Sequence, residues 1–357
     1  MRLTTLRLTL FKSVMLLGFS LLLLLVACKK SSTPPPPPAD KTALQAKITE
    51  AQTLLDGTVE GTKPGQYEAG SKTNLTTVLN AAKAVAADSR ASQDAVTNAT
   101  AQLQAAIDTY KTHLIKEIAS ANLIGYWKMN GNADDSSGNG NNGTLTAGHA
   151  YFGAGMPVLT ADRFGRANMA YHFDKGGNID VPYKPSLNPQ QFSISIWLKK
   201  VPNGRTLNSD TYTMVSLNRW NGYKFQLQST NKLFLTVKGV QGTDTTFYDR
   251  DDATAVLDTN VWYHAVATFK PGEMDFYLNG DLVKSWTDTP HPPITLANPI
   301  DFIIGQDLPT SKYLTVDGDF QVAWGGFWTG DLDDVMFYNV ALDATQVKSI
   351  YNNQKSL

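Results

Sequence analysis

The chain has a single cysteine, Cys28, in 357 residues. No internal disulfide and no cysteine-based metal site can form. Glutamate is nearly as scarce. Only Glu50, Glu60, Glu68, Glu117 and Glu273 occur, against 27 Asp, and Glu273 alone lies beyond residue 121. A catalytic pair of glutamates is thereby excluded from the longer, C-terminal part. An excess of positive charge is missing too. The formal net charge is −1, whereas a general nucleic-acid binder needs a basic face. Tryptophan is absent from the first 121 residues, and all seven follow them. Two pieces of very different composition are therefore joined. With 42% hydrophobic and 18% charged residues, the chain can bury a large core and has room for two or three domains.

Residues 1–28 read as a bacterial export signal. Arg2, Arg7 and Lys12 form a basic start, and Val14 to Val26 is a Leu-rich apolar run. That run is shorter than the ~20 residues of a membrane-spanning helix and suits a signal peptide better. It ends in Leu25-Val26-Ala27-Cys28, which resembles the lipobox of bacterial lipoproteins. The resemblance implies that Cys28 is lipidated, becomes the first residue of the mature chain and ties the protein to the outer membrane. The alternative is a membrane helix with a chance cysteine. Residues 29–40 follow as a tether. Pro34 to Pro38 form a polyproline stalk of roughly 15 Å at ~3.1 Å per residue.

Residues 41–117 carry helical periodicity. Leu44, Ile48, Ala51 and Leu55 make one stripe, and Leu75, Val78, Leu79, Ala82 and Val85 a second. Val96, Ala99, Leu103, Ala106, Ile107, Tyr110 and Leu114 make a third, with Ser92 as its N-cap. Gly57 to Gly70, with Pro64-Gly65, separates the first two. An antiparallel three-helix bundle is predicted. With Gly65-Gln66-Tyr67 before its second helix, it resembles small helical modules in cell-surface proteins of Bacteroidetes and Gram-positive bacteria. That resemblance implies a spacer beside a carbohydrate-active domain.

From Leu123 the period switches to two. Phe192, Ile194, Ile196 and Leu198 alternate with Ser193, Ser195 and Trp197. Val261 to Phe269 reads as a second long strand, and Met274 to Leu278 and Asp281 to Val283 flank Asn279-Gly280. Asn-Gly between alternating runs is a strong signal for a type I′ hairpin. Phe225 to Leu227, Leu233 to Val237, Phe302 to Ile304 and Leu332 to Tyr338 add strands. Many short strands without intervening helices predict an all-β sandwich or jelly roll over 123–357. A final helix starts at Asp343, with Gln346 at the capping-box position.

Six blocks carry a closer resemblance. They are Gly125 to Met129, Asp135 to Gly143, Phe192 to Trp197, Trp262 to Val266, Phe276 to Gly280, and Gly330 to Tyr338. Together they resemble a LamG-like jelly roll of the concanavalin A-like lectin/glucanase superfamily. The superfamily includes lectins, adhesion modules and glucanases, so the fold alone does not name an activity.

Within Asp135 to Gly143, Gly138-Asn139-Gly140-Asn141-Asn142-Gly143 fits a dinucleotide fingerprint by letter only. No parallel βαβ pattern surrounds it. The spacing of Asp135, Ser137 and Asn139 matches the opening of a calcium loop, although Thr146 stands where the bidentate Glu would be. Related glucanases join the first strand to an Asp of the last strand through a structural calcium. The resemblance carries that role to Asp333, with Asn130 following the first strand. Asn130, Asp135, Ser137, Asn139 and Asp333 are thus the expected calcium ligands, and a solvated Asx turn is the alternative.

Catalysis is not expected. A retaining glucanase needs two carboxyls ~5.5 Å apart, and Glu273 sits in a Pro271-Gly272-Glu273 turn. No Asp-x-Asp is read inside a clear strand, and His264 in mid-strand reads as a core residue. Sugars stack on exposed aromatic rings and are oriented by Asp and Asn edges. Trp127, Trp197 and Trp262 lie in strand blocks, and Trp328 stands where the family buries an aromatic. Trp220, with Asn218 and Asn221, and Trp324, after Asp317 and Asp319, are the candidate sugar platforms. The expectation is a lipid-anchored, non-catalytic carbohydrate-binding protein of the cell envelope, holding calcium and a polysaccharide and binding no nucleic acid. The rivals are a structural or adhesion module binding protein partners, and a glycoside hydrolase.

Overall fold

The computed structural model describes residues 37–202, 212–296, 299–313 and 325–356. Cys28, the signal segment, residues 29–36 of the tether and Trp324 lie outside them. The helical module consists of α1 (Thr42–Gly57), the short parallel pair β1 (Glu60–Gly61) and β2 (Tyr67–Glu68), α2 (Lys72–Ala87) and α3 (Gln93–Thr112). The three stripes face one another. Leu44, Leu75, Leu103 and Ile107 are wholly buried between the helices. Ser92 caps α3, its hydroxyl accepting from the Ala95 amide at 3.2 Å. Tyr67 stacks flat on Tyr110, with centroids 4.4 Å apart.

The rest is a sandwich of two antiparallel sheets. Its strands are β3 (Leu123–Trp127), β4 (Thr144–Thr146), β5 (Val158–Thr160), β6 (Ala170–Phe173), β7 (Asn178–Val181), β8 (Phe192–Lys200) and β9 (Tyr212–Leu217). They continue with β10 (Tyr223–Leu227), β11 (Lys232–Gln241), β12 (Asp244–Val256), β13 (Trp262–Lys270), β14 (Glu273–Leu278), β15 (Asp281–Trp286), β16 (Phe302–Ile304) and β17 (Gly330–Tyr338). One sheet runs β12-β11-β10-β9-β16-β7-β4 and the other β15-β14-β13-β8-β17-β6-β5, with β3 also paired to β17. Alternation sets the core. Tyr223, Phe225, Leu233 and Leu235 point inward from the first sheet, and Phe192, Ile194, Ala267 and Phe337 from the second. The Asn279-Gly280 turn has φ of 52° and 80°, the two positive values that a type I′ hairpin needs.

The closing helix α4 (Ala344–Gln354) has the predicted capping box, with Asp343 and Gln346 bonded reciprocally. It lies on the outer face of the second sheet, where Tyr351 stacks on Trp197. The same helix holds the helical module. Lys116 pairs with Asp343 at 3.1 Å, the Thr345 hydroxyl donates to the Leu114 carbonyl, and Thr62 and Asn353 bond each other at 3.0 Å. The linker also adds to β2, with the Ile115 amide donating to the Gln66 carbonyl at 2.9 Å. The module is thus docked on the sandwich as well as preceding it.

Candidate functional site

The expected calcium residues do not form a cation shell. Asp135 accepts from the Tyr126 and Ser137 amides through Oδ1, and from the Asn141 amide and the Ser137 hydroxyl through Oδ2. Four donors at 2.8–2.9 Å use all four lone-pair directions of the carboxylate. Burial pushes its pKa up, but those bonds outweigh burial and hold it below the ordinary carboxylate value. Asn139 turns its amide nitrogen inward, donating to the Leu123 carbonyl at 2.7 Å. Asn130 is exposed. Asp333 is engaged elsewhere. A bulge in β17 lies between Asp333 and Met336, with Asp334 at φ 47°. Arg163 bridges both carboxylates, at 2.5 Å to Asp333 and 2.9 Å to Asp334. It also donates to the Gln354 carbonyl at the end of α4 and lies 4.5 Å from the Trp197 ring centroid. A guanidinium therefore occupies Asp333, the carboxylate expected to hold the metal, and the five residues do not fit calcium. Among the described residues no group of three His, Cys, Asp or Glu could hold a metal ion.

The strand β17 corrects a second reading. Asp331-Leu332-Asp333 is an Asp-x-Asp inside a strand, as is Asp249-Arg250-Asp251 in β12. On β17 the carboxylates are occupied. Asp331 bonds His172 at 2.6 Å and Lys199 at 2.5 Å, and raises the His172 pKa through its hydrogen bond. Glu273 pairs with Lys270 across the hairpin turn at 2.9 Å. His264 is wholly buried, shares a hydrogen bond with the Ser195 hydroxyl at 2.9 Å and is pushed down to about 3 by burial. It packs between Trp197 and Tyr351, as its mid-strand position predicted. One carboxyl pair was missed. Asp180 on β7 is pushed up to about 6 by burial and by Asp301, which precedes β16. No local pattern joins residues so far apart in the chain. Asp301 also accepts from the Tyr183 amide at 2.8 Å, which fixes it beside β7.

The Trp220 turn has a different character. Five residues, Asn218 to Gly222, join β9 to β10, where Leu217 and Tyr223 are register partners. Asn218 and Arg219 have φ of 60° and 53°, conformations that cost ~1–3 kcal/mol each and survive where the surroundings enforce them. Those surroundings are visible. Arg219 is buried and paired with Asp307 at 2.6 Å, and the Tyr313 hydroxyl donates to the same carboxylate. The Ser216 hydroxyl accepts from the Arg219 amide and donates to the Asp307 carbonyl. Gly222 packs against the Leu217 carbonyl, where a Cβ would come within 2.2 Å.

The Arg219 guanidinium lies 4.6 Å from the Trp220 ring centroid. Trp220 is half-buried and Asn221 exposed. The turn faces Ile300, Leu308 and Lys312 across an open cleft of roughly 270 Å³, near the lower end of small-ligand sites at ~300 Å³. Asn218, Trp220 and Asn221 are thus brought together on one wall, while Trp324 lies outside the described residues. Trp127 and Trp328 are wholly buried and Trp197 nearly so. Trp262 and Trp286 are half-buried.

Two family profiles match the chain. Residues 173–348 match the Concanavalin A-like lectin/glucanases superfamily, and residues 40–111 match the FIVAR domain. A gellan lyase of Bacillus sp. is 44% identical over 77 residues, which are 22% of this chain and 3% of that protein. Among solved structures, domain 4 of AbnA, a GH43 extracellular arabinanase from Geobacillus stearothermophilus in complex with arabinotriose, is 21% identical. The likeness covers 64% of this chain and 98% of that one, with a TM-score of 0.46. The binding domain of Paraclostridial Mosquitocidal Protein 1 is 18% identical, over 66% of this chain and 53% of that one, with a TM-score of 0.48. The β-sandwich of this chain is a domain of the concanavalin A-like lectin/glucanases superfamily, and the helices before it form a FIVAR domain.

Proposed function

We propose that this protein is a membrane-anchored, non-catalytic carbohydrate-binding lipoprotein whose jelly roll captures polysaccharide at the Trp220 cleft. The observation that carries the reading is the cleft itself. A half-exposed indole is held on a rigid, ion-paired turn, between two asparagine amides, on a lectin/glucanase-type sandwich. An aromatic face with a few fixed polar groups is the chemistry that recognises a sugar. The likeness of one segment to a gellan lyase points toward polysaccharide. Non-catalysis is supported by the state of the carboxylates. Asp331 and Asp333 are ion-paired, and Glu273 is held by Lys270.

The lipobox at Leu25-Val26-Ala27-Cys28 supports the anchor, and attachment to the outer membrane is part of the proposal. Replacing Cys28→Ala should release the protein from the membrane fraction and remove the acyl mass. Retention without acylation overturns the anchor. A glycan array with the parent protein and Trp220→Ala tests the cleft. Binding that disappears in the variant supports the reading, and binding unaffected by the substitution refutes it. An array with no signal at all leaves the adhesion reading in its place.

A further inference from the structure

We infer that the Trp220 cleft selects an anionic polysaccharide, one whose sugars carry carboxylate or sulfate groups. The inference rests on the glycan reading above and adds the charge class of the ligand.

Arg163, Lys199 and Arg166 each hold a carboxylate within 2.6 Å. Lys312 lines the cleft and is exposed, and the Lys224 ammonium lies 5.7 Å from the Trp220 ring centroid. Among the described residues neither lysine has a carboxylate partner. Lys238 reaches the same turn, donating to the Asn221 side chain at 3.2 Å. Arg219 is neutralised by Asp307, and no carboxylate lines the cleft among the described residues. The local charge is therefore positive on a chain whose formal net charge is −1.

Lys224 is the more telling of the two. It sits in mid-strand on β10, with Ser216 of β9 and Thr236 of β11 as register partners, and burial pushes its pKa down. Asp307 and Asp249 attract this ammonium without pairing with it, and a half-buried ammonium with no contacting carboxylate gains from an anionic ligand. Gln226, two residues along the same face, and its register partner Thr213 are wholly buried. Among the described residues the Gln226 amide and the Thr213 hydroxyl have no hydrogen-bond partner. These two residues do not line the cleft, so Lys312 and Lys224 carry the charge there.

Isothermal titration of the full chain with matched ligand pairs tests this. The pairs are tetragalacturonate and its methyl ester, sulfated and desulfated carrageenan tetrasaccharide, and sialyllactose and its carboxyl methyl ester. Each pair keeps most of the hydroxyls and ring faces and differs in charge. At low salt at least one anionic member should bind about 10-fold tighter than its neutral counterpart, and the gap should narrow as salt is added. Lys312→Gln and Lys224→Met should each reduce that preference about 3-fold, whereas Trp220→Ala should weaken both members. Lys312 is exposed, so its variant keeps the test sound if Lys224→Met fails to fold. Equal affinity within every pair, or lysine variants with unchanged preference, overturns the charge inference and leaves a neutral-sugar site standing. Binding of none of the six overturns the glycan reading with it.

Discussion

The Asp135 loop and the Asn218–Gly222 turn look alike as sequence. Each is a short run rich in Asn and Gly between strands, and each invites a ligand. In the fold they are opposites. Asp135 gathers one strand amide, two loop amides and a hydroxyl, so its own chain satisfies every lone pair. The Trp220 turn closes its backbone with a buried ion pair and leaves an indole, an asparagine and a lysine at an open cleft. A polar cluster becomes a candidate site through the bonding capacity it keeps in reserve, and composition alone does not reveal that.

The largest expected effect tests the first half of the contrast. Arg163→Gln leaves two buried carboxylates without their cation and should cost about 3–5 kcal/mol of stability. Burial and the neighbouring Asp334 push the Asp333 pKa upward. A raised native pKa favours the acidic side, so the variant should melt less poorly at pH 5 than at pH 8. Wild-type stability in the variant would mean that something other than Arg163 neutralises the pair.

Next in size, Asp135→Ala removes the acceptor of four hydrogen bonds and should cost about 2–4 kcal/mol. A chelator should leave the melting temperature of the parent unchanged. A melting temperature that falls with chelator would restore the calcium expectation at this loop.

Trp220→Ala addresses the other half. It should weaken glycan binding by about 2 kcal/mol, or roughly 30-fold, with a stability loss under ~1 kcal/mol. A large drop in stability with binding retained would make Trp220 a packing residue and erase the distinction between the two turns.

The smallest effect is a pH dependence. The Asp180 pKa rises from 3.8 to about 6 in the folded state, through burial and Asp301. Its contribution to stability is therefore fully present below about pH 4 and is lost as pH rises through 6. The carboxyl is partly exposed, so solvent screening limits the change to about 1 kcal/mol. Asp180→Asn should flatten the melting temperature between pH 4 and 7. An unchanged slope would place the titration elsewhere.

Much of the fold was legible because its signals are local. The strand β16 begins and ends where the apolar run Phe302–Ile304 does, and β13 is displaced by one residue at each end from the alternating run that announced it. Beginning at Gly330 in place of Leu332, β17 takes in Asp331, and this concealed its Asp-x-Asp. Of the site, Asn218, Trp220 and Asn221 could be chosen because a Trp in a polar turn is conspicuous. Lys224 could not, since a Lys in a strand is ordinarily a solvent-facing residue. Arg163 carried no signal at all.

By itself the sequence determined the elements: the helical stripes over 41–117, the alternating strands, the Asn279-Gly280 turn and the Asp343 capping box. These follow from covalent geometry, which repeats every 3.6 or 2 residues and can be read in a short window. Tertiary structure alone decided the partners. It set Arg163 between Asp333 and Asp334, Arg219 against Asp307, Asp180 beside Asp301, and Lys312 across the cleft from Trp220. Those neighbours depend on strand order and register across two sheets. A bulge at Asp334 moves a side chain to a new partner without changing any local pattern.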